Sequence, residues 1–190
     1  MLSGITPLDI CGWLWLAWLF IWIVAAPFSL KKKQDEKIAR LQHTIPTLFG
    51  IVAVFHHGDV PALDWGALYD SATLKYAGIA VTVAGHAFSI WARIHLGKYW
   101  SGTVALKEGH KIISTGPYAF VRHPIYTGLF LAVLGSAMAA ATIEGFVGFT
   151  VLFCSYIVKW RREEKLLIGE FGQEYRDYMA RTKAIVPYVF

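Results

Sequence analysis

The segment 122–164 reads RHPIYTGLFLAVLGSAMAAATIEGFVGFTVLFCSYIVKWRREE. It contains two apolar runs, about Ile125–Ile143 and Gly145–Val158, separated by a short polar turn. Two antiparallel helices joined by so short a turn return the chain to the face it left. We therefore expect His123 and the polar residues 159–164 to be neighbours at one end of a helical hairpin.

The chain as a whole is too apolar for an ordinary soluble domain, with 56% of its 190 residues hydrophobic and 16% charged. A helix that crosses a bilayer needs about 20 mostly apolar residues. Besides the hairpin, three further runs qualify: about Ile10–Leu30, Thr44–His57 and Ala72–Trp91. The second and fifth runs, of about 14 residues, would cover about 21 Å of a core near 30 Å, so half-buried hairpin arms are the alternative for them. We predict an all-α, polytopic membrane protein of about five transmembrane helices.

The basic residues give an orientation for these helices. Lys and Arg number five in 31–43, five in 93–123 and seven in 159–190, whereas the opposite side receives only Lys75 of the 18. This split follows the positive-inside rule and predicts a cytoplasmic C-terminus and an external N-terminus. The net charge of +5 is thus explained by membrane lipids and topology, and no nucleic-acid partner is expected.

The polar residues outside the spans divide the chain into two parts. We expect residues 1–92 to form three N-terminal spans. Residues 93–190 should form the functional region, which consists of a loop, the hairpin 125–158 and an amphipathic tail. The two cysteines, Cys11 and Cys154, lie inside apolar spans and form neither a disulfide framework nor a metal motif, so no metal is expected.

The loop side of the hairpin begins with a sharp helix start. Proline disfavours helix in the residue before it, so His123 should be extended, and Pro124 suits the first helical position. The free N–H groups of that helix end, with Arg122 and His123, would suit an anion. The alternative is that Arg122 is a membrane anchor and that Tyr118 and Tyr126 belong to an interfacial aromatic belt.

The tail side of the hairpin carries an acid pair among basic residues. Lys159 and Glu163 are four apart and share a helix face, whereas Glu163 and Glu164 must point in different directions. One interpretation is a solvated ion-pair face worth only a few tenths of a kcal/mol. The other is a carboxylate that binds hydroxyls or a cation opposite the anion site. S-adenosylmethionine, with its carboxylate, sulfonium and ribose, would match both ends.

Three stretches together carry a family resemblance: GHKIISTGPYAFVRHPIYTG (109–128), EEKLLIGEFGQEYRDY (163–178) and a late VP (186–187). With the hairpin between them, they resemble the isoprenylcysteine carboxyl methyltransferase family, one of the small membrane methyltransferase groups that also modify phospholipid amines. The resemblance covers roughly Arg93–Pro187. The first three spans resemble the family only in being hydrophobic.

The resemblance implies an S-adenosylmethionine pocket on the cytoplasmic side, capped by the tail, with a lipophilic or prenylated acceptor arriving from the bilayer. Its candidate catalytic residues are Arg122, Lys159 and Glu163. The cofactor contacts that it implies are His110, Lys111, Ile112, Ile113, Tyr118, His123, Pro124, Ile125, Tyr126, Glu163 and Glu164.

One position departs from the family pattern. The family places an arginine one turn before the first acid to hold the acceptor carboxylate, and here that position is Lys159. Lysine keeps the charge but loses the bidentate geometry. The alternative is that Arg161 or Arg162 substitutes for the family arginine, although neither shares the helix face of Lys159. A carboxylate acceptor needs no base, whereas an amine acceptor would need Glu163, Glu164 or a histidine to take its proton.

These observations leave three function classes. The first is methyl transfer to the carboxylate of an isoprenylcysteine-like compound, with a phospholipid or other lipid amine as the alternative acceptor. The second is an NADPH-dependent membrane reductase with a similar HPxY hairpin, although such enzymes are generally longer. The third is a non-catalytic membrane subunit on the same scaffold.

Tryptophans are concentrated in the first span, at positions 13, 15, 18 and 22. The simplest interpretation is that they face lipid or pack against other helices. The alternative is that they line a route for a bulky apolar acceptor. His86 and His95 flank Arg93 near the inner end of the third span. We expect buried histidines that satisfy their hydrogen bonds, and the alternative is a role facing the pocket.

Overall fold

The computed structural model describes residues 4–28, 32–35, 37–56, 58, 60–100, 105–107 and 111–187. The helices in these residues are α1 Pro7–Ala25, α2 Lys37–Phe55, α3 Ala72–Leu96, α4 Pro124–Ala140, α5 Ile143–Phe171 and α6 Gln173–Arg181. Two short strands, β1 Lys32–Asp35 and β2 Ala105–Lys107, pair antiparallel between the loops that follow α1 and α3. The predicted all-α class is confirmed, with this small ribbon as an addition.

Each predicted span corresponds to a helix, but the lengths differ. Among the described residues, α1, α3 and α5 are long and apolar enough to cross a membrane, whereas Thr44–Phe55 of α2 and the whole of α4 are shorter apolar helices. The first span begins at Pro7 because Thr6 and Asp9 form a capping box there, and its α-helix ends at Ala25. The chain is therefore an integral membrane protein with a helical bundle.

The fifth helix is the largest departure from the prediction. It runs to Phe171 rather than ending near Val158, so the first part of the polar tail continues the membrane helix. Residues 159–168 are mostly good helix formers, and the helix ends only at Gly172, whose φ of 55° favours glycine. The third helix likewise continues past Trp91 to Leu96.

The predicted hairpin is confirmed. Only Ala141 and Thr142 separate α4 from α5. Ala141 adopts a left-handed conformation with φ 60°, and the Thr142 hydroxyl caps α5 by accepting a 3.3 Å hydrogen bond from the Gly145 amide. This tight turn brings the start of α4 and the far part of α5 to the same end of the bundle, which we call the Pro124 end.

Close glycine contacts hold the bundle together. A Cβ on Gly128 of α4 would lie 2.5 Å from the Gly85 carbonyl oxygen of α3, and one on Gly135 would lie 2.5 Å from the Gly78 carbonyl oxygen. The two backbones therefore touch, as small residues allow in membrane helices. The other helix pair, α2 and α5, meets in the same way through Gly50. The glycine contacts thus join α3 to α4 and α2 to α5, and α4 also packs against α5.

The chain after α6 folds back onto the start of α4. The Arg122 amide donates to the Lys183 carbonyl at 2.8 Å and the His123 amide donates to the Ala184 carbonyl at 2.9 Å. The Thr127 hydroxyl donates to the Ile185 carbonyl at 2.7 Å. The end of the tail is thus fastened to the helix start that the sequence analysis singled out.

Candidate active site

A cavity of about 400 Å³ lies at the Pro124 end of the bundle. Ten of the predicted site residues line it: Lys111, Ile112, Ile113, Tyr118, Arg122, His123, Ile125, Tyr126, Lys159 and Glu163. Pro124 and Glu164 are buried outside the lining that the described residues form. His110 lies outside the described residues. The predicted neighbours of His123 at residues 159–164 do meet it.

The helix start lies at the predicted residue. Pro124 is the first helical residue, as expected, but His123, which caps α4, is not extended as predicted: its φ of −122° and ψ of 59° lie outside both the extended and the helical regions, because its amide and its side chain bind the tail and α5. The His123 imidazole lies between the two acids, with Nε2 3.1 Å from Glu164 Oε1 and Nδ1 3.7 Å from Glu163 Oε2. With two carboxylates beside the imidazole, this helix end is less favourable for an anion than the sequence suggested. Glu163, the acid of the pair that lines the cavity, favours a ligand with positive charge.

Arg122 lines the cavity, but its guanidinium is engaged with the protein. Nε donates to Glu164 Oε1 at 2.7 Å, and Nη1 donates to the carbonyls of Thr182 and Met179. The charge of Arg122 is therefore matched by Glu164, and its donors hold the tail against the start of α4. These contacts favour a structural role for the Arg122–Glu164 pair.

The two acids face different directions, as their adjacency predicted. Glu164 is buried and accepts from Arg122, whereas Glu163 lies on the cavity wall. The Tyr126 hydroxyl donates a 2.6 Å hydrogen bond to Glu163 Oε1. That bond orients the carboxylate and leaves part of it directed at the cavity.

Lys159 also lines the cavity, one helical turn before Glu163, although only 7% of it is exposed. Its ammonium lies 5.1 Å from the ring centroid of Tyr126 and 5.0 Å from that of Tyr156. Aromatic faces stabilise a cation in such positions. Of the described basic residues of α5, neither Arg161 nor Arg162 lines the cavity, so Lys159 is the cation that α5 brings to it.

The tail contributes tyrosines that the sequence analysis did not single out. Tyr175 and Tyr178 of α6 line the cavity, and the Tyr178 hydroxyl donates a 2.6 Å hydrogen bond to the Tyr118 carbonyl. Burial raises the pKa of both α6 tyrosines, and of Tyr118, so these hydroxyls stay protonated. The YxxY spacing places both rings on one helix face, so it could have predicted that the two tyrosines point in the same direction.

The first half of the chain also reaches the cavity. Trp18 and Trp22 of α1 line it with Leu96, Tyr99 and Trp100. The interpretation of the span-one tryptophans as packing or lipid-facing residues is therefore incomplete, because two of the four lie on the cavity wall.

His95 and Trp15 make hydrogen bonds within the protein, whereas the expectation that His86 satisfies its hydrogen bonds is wrong: His86 is buried, and its Nε2 has no hydrogen-bond partner among the described residues. His95 lies 2.9 Å from the Thr115 hydroxyl and stacks on the Tyr118 ring, so it positions the loop before α4. Trp15 instead donates to Ser136 and meets the His86 ring edge-on at 4.6 Å.

These contacts describe a site with a polar side and an aromatic side. Glu163 and Lys159 place opposite charges one turn apart, and aromatic rings surround both. A mostly apolar cavity with a few converging polar groups is typical of a small-molecule site. Such a site can bind a cation and an anion together, away from bulk water.

The resemblance to a methyltransferase family is confirmed by comparison. Residues 78–169 match the model of the isoprenylcysteine carboxyl methyltransferase (ICMT) family. The match begins earlier than the motifs indicated and ends before the YxxY segment of the tail.

Curated relatives support the same family. A protein-S-isoprenylcysteine O-methyltransferase of Schizosaccharomyces pombe is 31% identical over 101 residues, which are 52% of this chain and 43% of the relative. The Rattus norvegicus protein of that name is 28% identical over 128 residues, or 66% of this chain and 45% of the relative. The chain spans about half the length of the curated relatives it matches.

A solved structure agrees in fold. The eukaryotic intramembrane Ras methyltransferase ICMT, determined without a monobody, aligns with a TM-score of 0.59 and 25% identity. The alignment covers 78% of this chain and 53% of that one. The helical bundle of this chain is therefore similar in fold to part of that membrane protein.

Proposed function

Because residues 78–169 match the isoprenylcysteine carboxyl methyltransferase family, we propose that this chain is an S-adenosylmethionine-dependent methyltransferase. Its acceptor is the carboxylate of a lipophilic, isoprenylcysteine-like compound that enters from the bilayer. The observation that carries the proposal is the placement of Lys159 and Glu163, one helical turn apart, on the wall of one cavity.

The cavity residues fit the cofactor. S-adenosylmethionine would supply the methyl group when bound, and it carries a sulfonium and an amino group. Glu163 offers a carboxylate to positive charge, and Tyr126 and Tyr118 offer aromatic rings to a cation or a base. Ile112 and Ile113 contribute apolar surface and backbone groups from the loop. These residues would hold the cofactor.

Lys159 supports a carboxylate acceptor over an amine. A carboxylate is ionised at neutral pH and is attracted to the ammonium, so the enzyme needs no base. An amine acceptor would arrive as an ammonium ion, which the Lys159 charge repels, and it would have to lose its proton to a base before it could accept the methyl group. Since methyl transfer from a sulfonium is an in-line displacement, the residues act mainly by positioning the acceptor and by excluding water.

We also propose that the Pro124 end lies in the cytoplasm, with the N-terminus outside. The basic residues concentrated in the loops at this end support the orientation. A fluorescent-protein fusion and an alkaline-phosphatase fusion at the C-terminus test it in bacteria. Fluorescence without phosphatase activity is expected, and the reverse pattern would overturn the orientation.

The function is tested with the full chain in detergent, by calorimetric titration with S-adenosylhomocysteine and by transfer of labelled methyl to N-acetyl-S-farnesylcysteine. We expect Glu163→Gln to weaken S-adenosylhomocysteine binding about tenfold, the loss of a charge-assisted hydrogen bond. Lys159→Ala should raise KM for the acceptor with little change in cofactor binding. Lys165→Ala, an exposed lysine of the same helix, is the matched control and should change neither.

Three results would contradict the proposal. Heat from NADPH but none from S-adenosylhomocysteine would indicate a reductase. Absence of a binding heat for both ligands would favour a non-catalytic subunit. Methylation of a phospholipid amine, with no transfer to the thioether carboxylate, would show that the acceptor is a lipid amine and not a carboxylate.

A further inference from the structure

Tyr156 is a residue of the cavity wall that the sequence analysis did not single out. It lies on α5, three residues before Lys159 and seven before Glu163, so helical periodicity places the three side chains on one face. Its ring centroid lies 5.0 Å from the Lys159 ammonium, and the ring centroid of Tyr126 on α4 lies 5.1 Å from the same group. The ammonium therefore has two aromatic rings as neighbours, one from each helix of the hairpin.

The ring of Tyr156 is held in place by other rings. It meets Tyr126 edge-on, with centroids 5.2 Å apart and planes at 77°, and it meets Phe130 of α4 edge-on at 5.6 Å. Phe130 in turn packs against Phe153 of α5, with centroids 4.8 Å apart. Edge-to-face pairs at these distances are favourable, so this cluster fixes the ring against which Lys159 lies.

A lysine benefits from such neighbours when it serves as a binding group. Its ammonium is a point charge at the end of a flexible stem, and ordering that stem when a ligand binds costs affinity. A carboxylate neighbour would order the ammonium but would also cancel its charge. An aromatic face attracts the ammonium through the ring quadrupole and leaves the positive charge intact. Two rings therefore order the Lys159 side chain before an anionic ligand arrives.

We propose that Tyr156 is a positioning residue for the methyl acceptor, because its ring holds the Lys159 ammonium where that ammonium binds the acceptor carboxylate. The inference rests on the proposed methyltransferase function and on the role given there to Lys159. It assigns the effect to the aromatic face of Tyr156 and not to its hydroxyl. Tyr156 differs in this from Tyr126, whose hydroxyl also orients Glu163.

The test separates the ring of Tyr156 from its hydroxyl. Methyl transfer to N-acetyl-S-farnesylcysteine by the full chain in detergent is measured for Tyr156→Leu, for Tyr156→Phe and for pentafluorophenylalanine placed at position 156. Tyr156→Leu should raise KM for the acceptor about tenfold and keep kcat within about twofold, whereas Tyr156→Phe should keep the wild-type KM. Pentafluorophenylalanine is close to phenylalanine in size, but its fluorines withdraw negative charge from the ring face, so its KM should resemble that of Tyr156→Leu.

A double-mutant cycle shows whether Tyr156 acts through Lys159. In a Lys159→Met background, where the charge is absent, Tyr156→Leu should change kcat/KM for the acceptor by less than about twofold. Phe153→Leu is the matched control and should keep the wild-type KM. It removes a ring of the same aromatic cluster that lies outside the cavity wall formed by the described residues.

The outcomes distinguish this inference from the proposed function. An unchanged KM in Tyr156→Leu and in the fluorinated variant would overturn the inference, and so would an equal rise of KM in Tyr156→Phe or an undiminished effect in the Lys159→Met background. A loss of S-adenosylhomocysteine affinity beyond about threefold in Tyr156→Leu would assign the ring to the cofactor and would also overturn it. If Tyr156→Leu unfolds, the fluorinated variant, which keeps the ring, decides. Absence of transfer to the thioether in the wild type would instead contradict the proposed function.

Discussion

The Tyr126 hydroxyl donates a 2.6 Å hydrogen bond to Glu163 Oε1, which joins the first turn of α4 to the part of α5 that follows its apolar run. The same tyrosine ring lies 5.1 Å from the Lys159 ammonium. One buried side chain therefore contacts both charged groups of the cavity wall. The Tyr126 hydroxyl orients the Glu163 carboxylate, and the face of its ring stabilises the Lys159 ammonium.

Tyr126→Phe should weaken S-adenosylhomocysteine binding about tenfold, because Glu163 loses a charge-assisted hydrogen bond worth about 1.5–3 kcal/mol. Calorimetric titration measures the change. The control is Tyr69→Phe, which removes a 2.5 Å hydrogen bond to the Met138 carbonyl in another part of the bundle. Equal losses in both variants would mean that stability, and not the orientation of Glu163, determines binding.

Glu164→Ala should lower stability more than any other acidic substitution in the tail. It leaves the buried Arg122 guanidinium without its carboxylate, and breaking a buried pair costs about 3–5 kcal/mol. We expect the thermal midpoint in detergent to fall by about 10 °C. Glu174→Ala, on the exposed side of α6, should change it by about 1 °C. A similar small shift for both would show that the Arg122–Glu164 pair does not hold the tail.

Gly128→Ala should push α4 away from α3. The new Cβ would lie 2.5 Å from the Gly85 carbonyl oxygen and 2.6 Å from the Ser89 amide nitrogen, so the backbones must separate, at a cost of about 1–3 kcal/mol. Thermal unfolding measures the loss. At Gly169 of α5 a Cβ would meet no atom within 4 Å, and Gly169→Ala should be neutral or stabilising. Loss of stability only at Gly169 would refute the close packing.

The buried tyrosines predict how stability changes with alkaline pH. Burial raises the pKa of Tyr178, whereas the unfolded phenol ionises near pH ~10. The stability that this group contributes is therefore fully present below that pH and is lost as the pH rises toward the folded pKa. We expect a constant thermal midpoint from about pH 7 to 9 and a fall above about pH 10.

Tyr178→Phe tests this account. The variant loses the hydrogen bond to Tyr118 at all pH values and should show a shallower alkaline fall, since one shifted group is gone. Tyr76→Phe, at a largely exposed tyrosine, should keep the wild-type curve. An identical slope in all three proteins would exclude Tyr178 as a contributor.

Local rules accounted for the hairpin and for the faces of its charged residues. Proline placed the start of α4 at Pro124, and helical periodicity placed Lys159 and Glu163 on one face. These features depend on neighbours within about one turn of helix. They could therefore be predicted from a single sequence.

Features that depend on residues far apart in the sequence could not be predicted from these local patterns. Which acid faces the cavity was decided by Arg122, which binds Glu164 from 42 positions away. The place of Trp18 on the wall was decided by Ser89, 71 positions away. In a helix that is apolar all round, such as α1, the periodicity of the sequence does not show which face packs inward, because lipid and protein interior are equally apolar.

The length of α5 links the site to the thickness of the bilayer. Its 29 residues span about 43 Å, against a hydrocarbon core of about 30 Å, so the helix that carries Glu163 is also long and apolar enough to cross a membrane. In a thinner membrane α5 would tilt further from the bilayer normal. A change in tilt would move the Glu163 carboxylate relative to Tyr126. Methyl transfer should then differ between dilauroyl and dioleoyl phosphatidylcholine vesicles, and equal rates would show that α5 keeps its angle. The lipid that delivers the acceptor would in this way also set the rate at which it is modified.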